Sequence, residues 1–135
     1  MSTFKNSDEL NLVMLNLWTQ ISQTPHIANP LLESKLIVTF HYRSPEAQLT
    51  IDCANGSDFN ILLGDNEIKP LIELFMKAEV ANEFWLGKIN VPMALLSGKI
   101  VSKGPINKAL ALLPAIKPAF QIYPSIIAQL NQSDS

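Results

Sequence analysis

Two Gly-Lys pairs, Gly87-Lys88 and Gly98-Lys99, are the residues of this chain whose types first suggest chemistry, because a phosphate-binding loop is built around such a pair. That loop needs a glycine five residues before the pair and a Ser or Thr after it, so that backbone N–H groups wrap the phosphates. Here the earlier positions are Asn82 and Met93, and the following residues are Ile89 and Ile100. Both copies fail. Glycines of this kind read instead as helix ends that take a positive φ, with the lysines favourable at the negative end of the helix dipole.

Metal and nucleophile chemistry have little to work with. His26 and His41 have no ligand-type neighbour at helical or finger spacing, Cys53 is the single cysteine, and zinc sites want three or four such groups together. No metal, no cofactor and no catalytic residue is expected. A serine triad assembles across a fold and so leaves no spacing to read, but there is no G-x-S-x-G elbow. Glu83, next to Phe84 and Trp85, could carry a raised pKa in an apolar wall and move protons; the simpler reading is a solvated helix carboxylate.

What must position these groups is one domain over residues 1–135, with a core over about 7–130. Hydrophobic residues are 47% of the chain and charged ones 16%, below the roughly 25% usual for globular domains. That surplus needs a cavity, an exposed patch or an interface to hold it. A net charge of −2 offers phosphates no basic face and argues against nucleic acid. A lone cysteine and the absence of a signal-like N-terminus or an apolar run of spanning length make cytoplasm the expected location.

Along the chain, Asn6 and Glu9 form a capping-box pattern, and Leu10, Val13, Leu17, Trp18 and Ile21 recur at helical spacing to about Gln23. Pro25 and Pro30 bound a connector holding His26. Lys35 to Arg43 and Ala47 to Cys53 alternate about Ser44-Pro45-Glu46 as a hairpin. Leu36, Val38, Phe40 and Tyr42 fall on one face and Leu49, Ile51 and Cys53 on another, with Gln48, Thr50 and Asp52 toward solvent. Phe59, Ile61 and Leu63 suggest a third strand, Leu71 to Ala78 a strand or, by its length, a helix, and Ile100 to Lys103 a further strand. Helical turns are expected over Val80 to Leu86 and Val91 to Leu96.

Pro105 opens another helix, with Ile106, Ala109, Leu110 and Leu113 as its buried face. Pro114, Pro118 and Pro124 then forbid one long helix. This apolar tail reads first as a packed edge of the core and second as a lid.

The stretch FWLGKINVPMALLSGKIVSKG resembles the sterol carrier protein 2 family in its stand-alone bacterial form. The matching residues are Phe84, Trp85, Gly87, Lys88, Ile89, Asn90, Ala94, Gly98, Ile100 and Gly104. The order of elements from Ser7 to Tyr123 fits as well, and the resemblance makes Leu71 to Ala78 the fourth strand and Ile100 to Lys103 the fifth. The resemblance implies an α+β fold, a five-stranded, mainly antiparallel sheet covered by helices around an apolar tunnel, with no catalytic residues. It implies a pocket lined by Phe84, Trp85, Ile89, Met93, Leu95, Leu96, Leu74, Met76, Phe120 and Tyr123, with Gly87, Gly98 and Gly104 as structural glycines. Expected partners are a lipid (fatty acid, acyl-CoA, sterol-like or isoprenoid), a transient membrane contact and lipid-biosynthetic enzymes. The function expected is non-catalytic lipid carriage. The alternatives are an accessory subunit presenting a lipid intermediate, for example in quinone biosynthesis, and a small acyl-substrate enzyme.

Overall fold

The first helix, α1 (Ser7–Ser22), begins where its capping residues say it should. In the computed structural model, which describes residues 3–133, the Asn6 side chain accepts the Glu9 N–H at 2.9 Å. The Glu9 carboxylate in turn accepts the Lys5 N–H at 2.8 Å, one residue further back than in the usual box. Leu10, Val13, Met14, Leu17, Trp18 and Ile21 are all buried, so the apolar stripe faces inward along the whole helix.

The expected connector after it is a helix, α2 (Pro25–Ser34), and His26 is exposed on that helix. Pro25 opens the first turn, where its missing N–H costs nothing, and Ile27, Ala28 and Leu31 supply a buried stripe that outweighs the one bond lost at Pro30.

Five strands follow: β1 (Ile37–Arg43), β2 (Ala47–Asp52), β3 (Asn60–Leu63), β4 (Ile72–Lys77) and β5 (Ile100–Lys103). They form one sheet in the order β3-β2-β1-β4-β5, parallel between β1 and β4 and antiparallel elsewhere. The sheet is thus mixed and mainly antiparallel. Register pairs Val38 with Ile51, Phe40 with Leu49 and Leu74, and Tyr42 with Met76. Directly paired residues share a face, so the two apolar sets expected on separate faces lie on the same one. Nor is the opposite face wholly solvated. Thr39 and Thr50 are buried there and bonded to each other at 2.8 Å, and Asn66, from the loop after β3, donates to the Thr50 hydroxyl at 3.1 Å.

Helices α3 (Ala78–Trp85) and α4 (Val91–Ser97) lie between β4 and β5. After β5 come α5 (Ile106–Leu110), α6 (Leu113–Ile116), a 3-10 turn over Lys117–Gln121 and α7 (Tyr123–Ser133). Pro114, Pro118 and Pro124 each stand second in a new helical segment, which is why the tail folds as short pieces. Its last piece is core: Tyr123, Ile126 and Leu130 are buried, and α7 packs on α1. The Tyr123 hydroxyl donates to Asn82 at 2.7 Å, and the Asn82 amide donates to Thr3, whose hydroxyl donates to Glu79 at 2.9 Å. This chain of bonds fastens α7 to α3.

Gly98 and Gly104 both have positive φ, 81° and 93°, yet they differ in surroundings. A Cβ at Gly98 would meet nothing within 4 Å, whereas one at Gly104 would overlap the Leu71 carbonyl oxygen. Gly98→Ala should therefore cost only the backbone strain, about 1 kcal/mol, or roughly 3–5 °C in melting temperature. Gly104→Ala should fail to give a cooperative thermal transition; equal losses at the two sites by circular dichroism would contradict this account.

Burial also sets the response to alkali. Burial, with the neighbouring Asp52 adding to it, pushes the Cys53 thiol from its ordinary 9.0 up to about 11. Burial likewise raises Tyr42, with Tyr123 adding to it, and Tyr123, with Glu79 adding to it. The unfolded chain then loses these protons before the folded one does, so stability present below pH 9 falls as pH rises through the shifted values. Melting temperature should drop steadily from about pH 9 upward, and Cys53→Ala should blunt the early part of that drop; a flat profile to pH 11 would refute it.

Candidate functional site

Between the apolar face of the sheet and its helical cover lies a cavity of about 120 Å³. Leu36, Val38, Phe40 and Tyr42 of the β1 region form its floor, continued by Ile51 and Cys53 on one side and Leu74 and Met76 on the other. The alternation of a strand delivers these side chains to one face at every second residue. Trp18 of α1, Leu31 of α2, Ala81, Phe84 and Trp85 of α3, and Val91 and Leu95 of α4 complete its sides. The roof is α5 and α6, through Ile106, Ala109, Leu110, Leu113 and Ile116.

The walls are almost free of polar groups. The Ser34 hydroxyl is used, donating to the Leu31 carbonyl at 2.6 Å. The Cys53 thiol is held protonated by burial, which leaves it a poor nucleophile. Trp18 Nε1 is buried without a hydrogen-bond partner, its ring edge-on to Trp85 at 5.6 Å and 90°. Phe40 and Phe84 extend this aromatic wall, at 5.9 Å from Trp18 and 4.9 Å from Trp85. Nothing in this lining carries a charge, and Cys53 is its one side chain of a metal-ligand type.

Of the ten residues expected to line a pocket, Phe84, Trp85, Leu74, Met76 and Leu95 stand in the cavity wall. Phe120 packs behind it, against Phe84 at 5.4 Å and Trp85 at 6.2 Å. Tyr123, the first residue of α7, is fully buried and spends its hydroxyl on Asn82. Ile89 and Met93 face a shallow outer groove shared with Glu83, Lys88 and Lys99, and Leu96 is exposed. Gly87, Gly98 and Gly104 all have positive φ. Sequence reasoning left out Trp18, Phe40, Ile51, Cys53 and the α5 residues as site members. The signal was present in the strict alternation of β1 and in the apolar face of α5, both assigned to core alone.

The histidines lie elsewhere. His41 is on the far face of the sheet, bonded to Glu73 at 2.9 Å and stacked on Phe75 at 4.4 Å. Among the described residues no three His, Cys, Asp or Glu side chains gather where they could hold a metal ion, and no helix is long and apolar enough to cross a membrane.

The sequence matches no family model and no curated protein. Solved structures do match it. Sterol Carrier Protein 2 from Yarrowia lipolytica, in its apo form, aligns at 20% identity over 90% of this chain and 93% of that one, with a TM-score of 0.61. Palmitated SCP2L2 from Aedes aegypti aligns at 16% identity over 78% of this chain and 92% of that one, with a TM-score of 0.59. A protein described as UbiJ-SCP2 ubiquinone synthesis protein aligns at 12% identity, covering 84% and 86% of the two chains, with a TM-score of 0.57. Full-length agreement of this kind, on a mixed five-stranded sheet with the same helical cover, identifies the architecture: this chain has the sterol carrier protein 2 fold.

Proposed function

We propose that this protein binds a lipid acyl chain in the cavity and carries it without chemical change. The observation that supports the reading is the lining: a roofed, aromatic and aliphatic wall with no ionisable group except protonated Cys53 and Tyr42. Such a surface solvates hydrocarbon and offers no base, nucleophile or set of metal ligands for turnover. The palmitated neighbour from Aedes aegypti shows the same fold in a protein that holds a fatty acyl group.

Size adds a requirement. An apolar cavity of about 150 Å³ takes a ligand as small as benzene, and this one is of that order at about 120 Å³. A long chain therefore lengthens the cavity into a tunnel by displacing α5 and α6, neither of which has a fully buried residue. Once inside, a sixteen-carbon chain would cost about 12 kcal/mol to return to water, at about 0.8 kcal/mol per CH₂. The lipid is accordingly handed over at a surface. The match to a ubiquinone synthesis protein favours a second reading, in which an isoprenoid intermediate is held and presented to enzymes that act on it.

Trp18 and Trp85 both face the cavity and report on filling. In a Trp18→Phe variant, saturating palmitate should quench or shift the emission of Trp85. Ala109→Phe, which puts a ring into the roof side of the same space, should weaken palmitate binding at least about tenfold, or 1.4 kcal/mol. Unchanged Trp85 emission at saturation, or unchanged affinity in the Ala109 variant, would refute the placement of the acyl chain.

A further inference from the structure

Charge is divided along this chain in a way its net value of −2 conceals. All but one of the 12 acidic residues precede Phe84, while Lys88, Lys99, Lys103, Lys108 and Lys117 follow it. The fold gathers the cationic part around the cavity's cover: between Gly87 and Pro118, only Ala94 and Ile100 are buried. Lys103 is spent on the far face of the sheet, 5.2 Å from the Phe75 ring. Lys88 and Lys99 flank α4, and Lys108 and Lys117 are exposed at α5 and at the end of α6.

On α4 itself two large apolar side chains point outward, Leu96 at 83% exposure and Met93 at 58%, while Val91 and Leu95 of the same helix line the cavity. Met93 shares the shallow outer groove with Lys88 and Lys99, and the half-buried Glu83 is the carboxylate there. The comparably exposed Leu12 of α1 stands in the opposite setting, on a helix that begins with Asp8 and Glu9. Exposed apolar side chains on a helix flanked by two lysines match the two layers of an anionic membrane surface, headgroup charge outside and hydrocarbon beneath.

We propose that α4, with Met93, Leu96, Lys88 and Lys99, is a docking face for a bilayer rich in anionic phospholipid. The inference rests on the lipid-carrier reading and adds where and on what surface the cargo is exchanged. Because α4 carries cavity-lining residues on its inner side, insertion of its outer side into a membrane sets the cavity wall directly against the bilayer. Cargo then passes from one apolar phase to the next without crossing water.

Flotation with vesicles of phosphatidylcholine alone, and of phosphatidylcholine mixed with phosphatidylglycerol, tests this. The full chain should bind the anionic vesicles at least about tenfold more tightly than the neutral ones, and high salt should erase the difference. Lys88→Glu with Lys99→Glu should abolish the preference while palmitate binding in solution is unchanged, and Leu96→Ser should weaken attachment to anionic vesicles. Protein that takes up palmitate but does not distinguish the vesicles, or charge-reversed protein that binds them as before, overturns the docking face alone and leaves α4 to another partner. Protein that takes up no palmitate overturns the carrier reading beneath it.

Discussion

The structure depends on how the apolar face of the sheet is covered: one long helix packs closely, and short helical pieces cover the cavity. Leu36, Val38, Phe40, Tyr42, Ile51, Leu74 and Met76 all point to one side. α1 reaches only part of that face, and its stripe is spent at close packing, with Leu10, Met14, Leu17 and Ile21 fully buried. The cavity is roofed by α5 and α6, short helices with no fully buried residue. It is the space between this roof and the sheet. A void of this kind costs stability, because its lining loses the contacts that a filled core would make. An occupant returns those contacts, so the same geometry that weakens the empty protein favours an apolar ligand.

Stability and mobility are separated by the same device. The bond chain from Tyr123 through Asn82 to Glu79, and the burial of Tyr123, Ile126 and Leu130, hold α7 as part of the core. On either side of β5, which is paired into the sheet, the short helices α4, α5 and α6 have Ala94 as their one buried residue. Local opening free energy follows buried apolar contact, so these helices give way before the sheet does. The packed edge expected of the proline-broken tail holds for its last part, and the tail is not one unit. It divides near Pro118 into a thin cover and a packed edge.

Much of this was legible in the sequence where a local rule acts alone. The Asn6 cap, the hairpin about Ser44-Pro45-Glu46, the other strands and the positive-φ glycines follow from short-range patterns, whereas β4 admits helix or strand by its residues and is a strand by the family resemblance. What was not legible depended on tertiary choice. Pro25 and Pro30 looked like boundaries because a proline can either open or end a helix, and the buried stripe of Ile27, Ala28 and Leu31 decided which. The faces of the hairpin were separated because alternation gives parity along one strand, while only the register between strands says that Val38 and Ile51 share a side. Five of the ten expected lining residues stand in the wall. Met93 and Leu96 of α4 and Ile89 before it face outward, and Phe120 and Tyr123 belong to segments behind the wall; no periodicity in a seven-residue helix distinguishes Leu95 from Leu96. The division of charge at Phe84 was present in the sequence throughout, hidden by a net value near zero.

The central claim, that an acyl chain lies inside this cavity, is tested most directly by isotope-filtered nuclear magnetic resonance of the protein with carbon-13-labelled palmitate. The account predicts magnetisation transfer from chain methylenes to the methyl groups of Ile51, Leu74 and Ala109, three walls of one space. Contacts confined to Met93 and Leu96 on the outer surface, with none to those three, would contradict it.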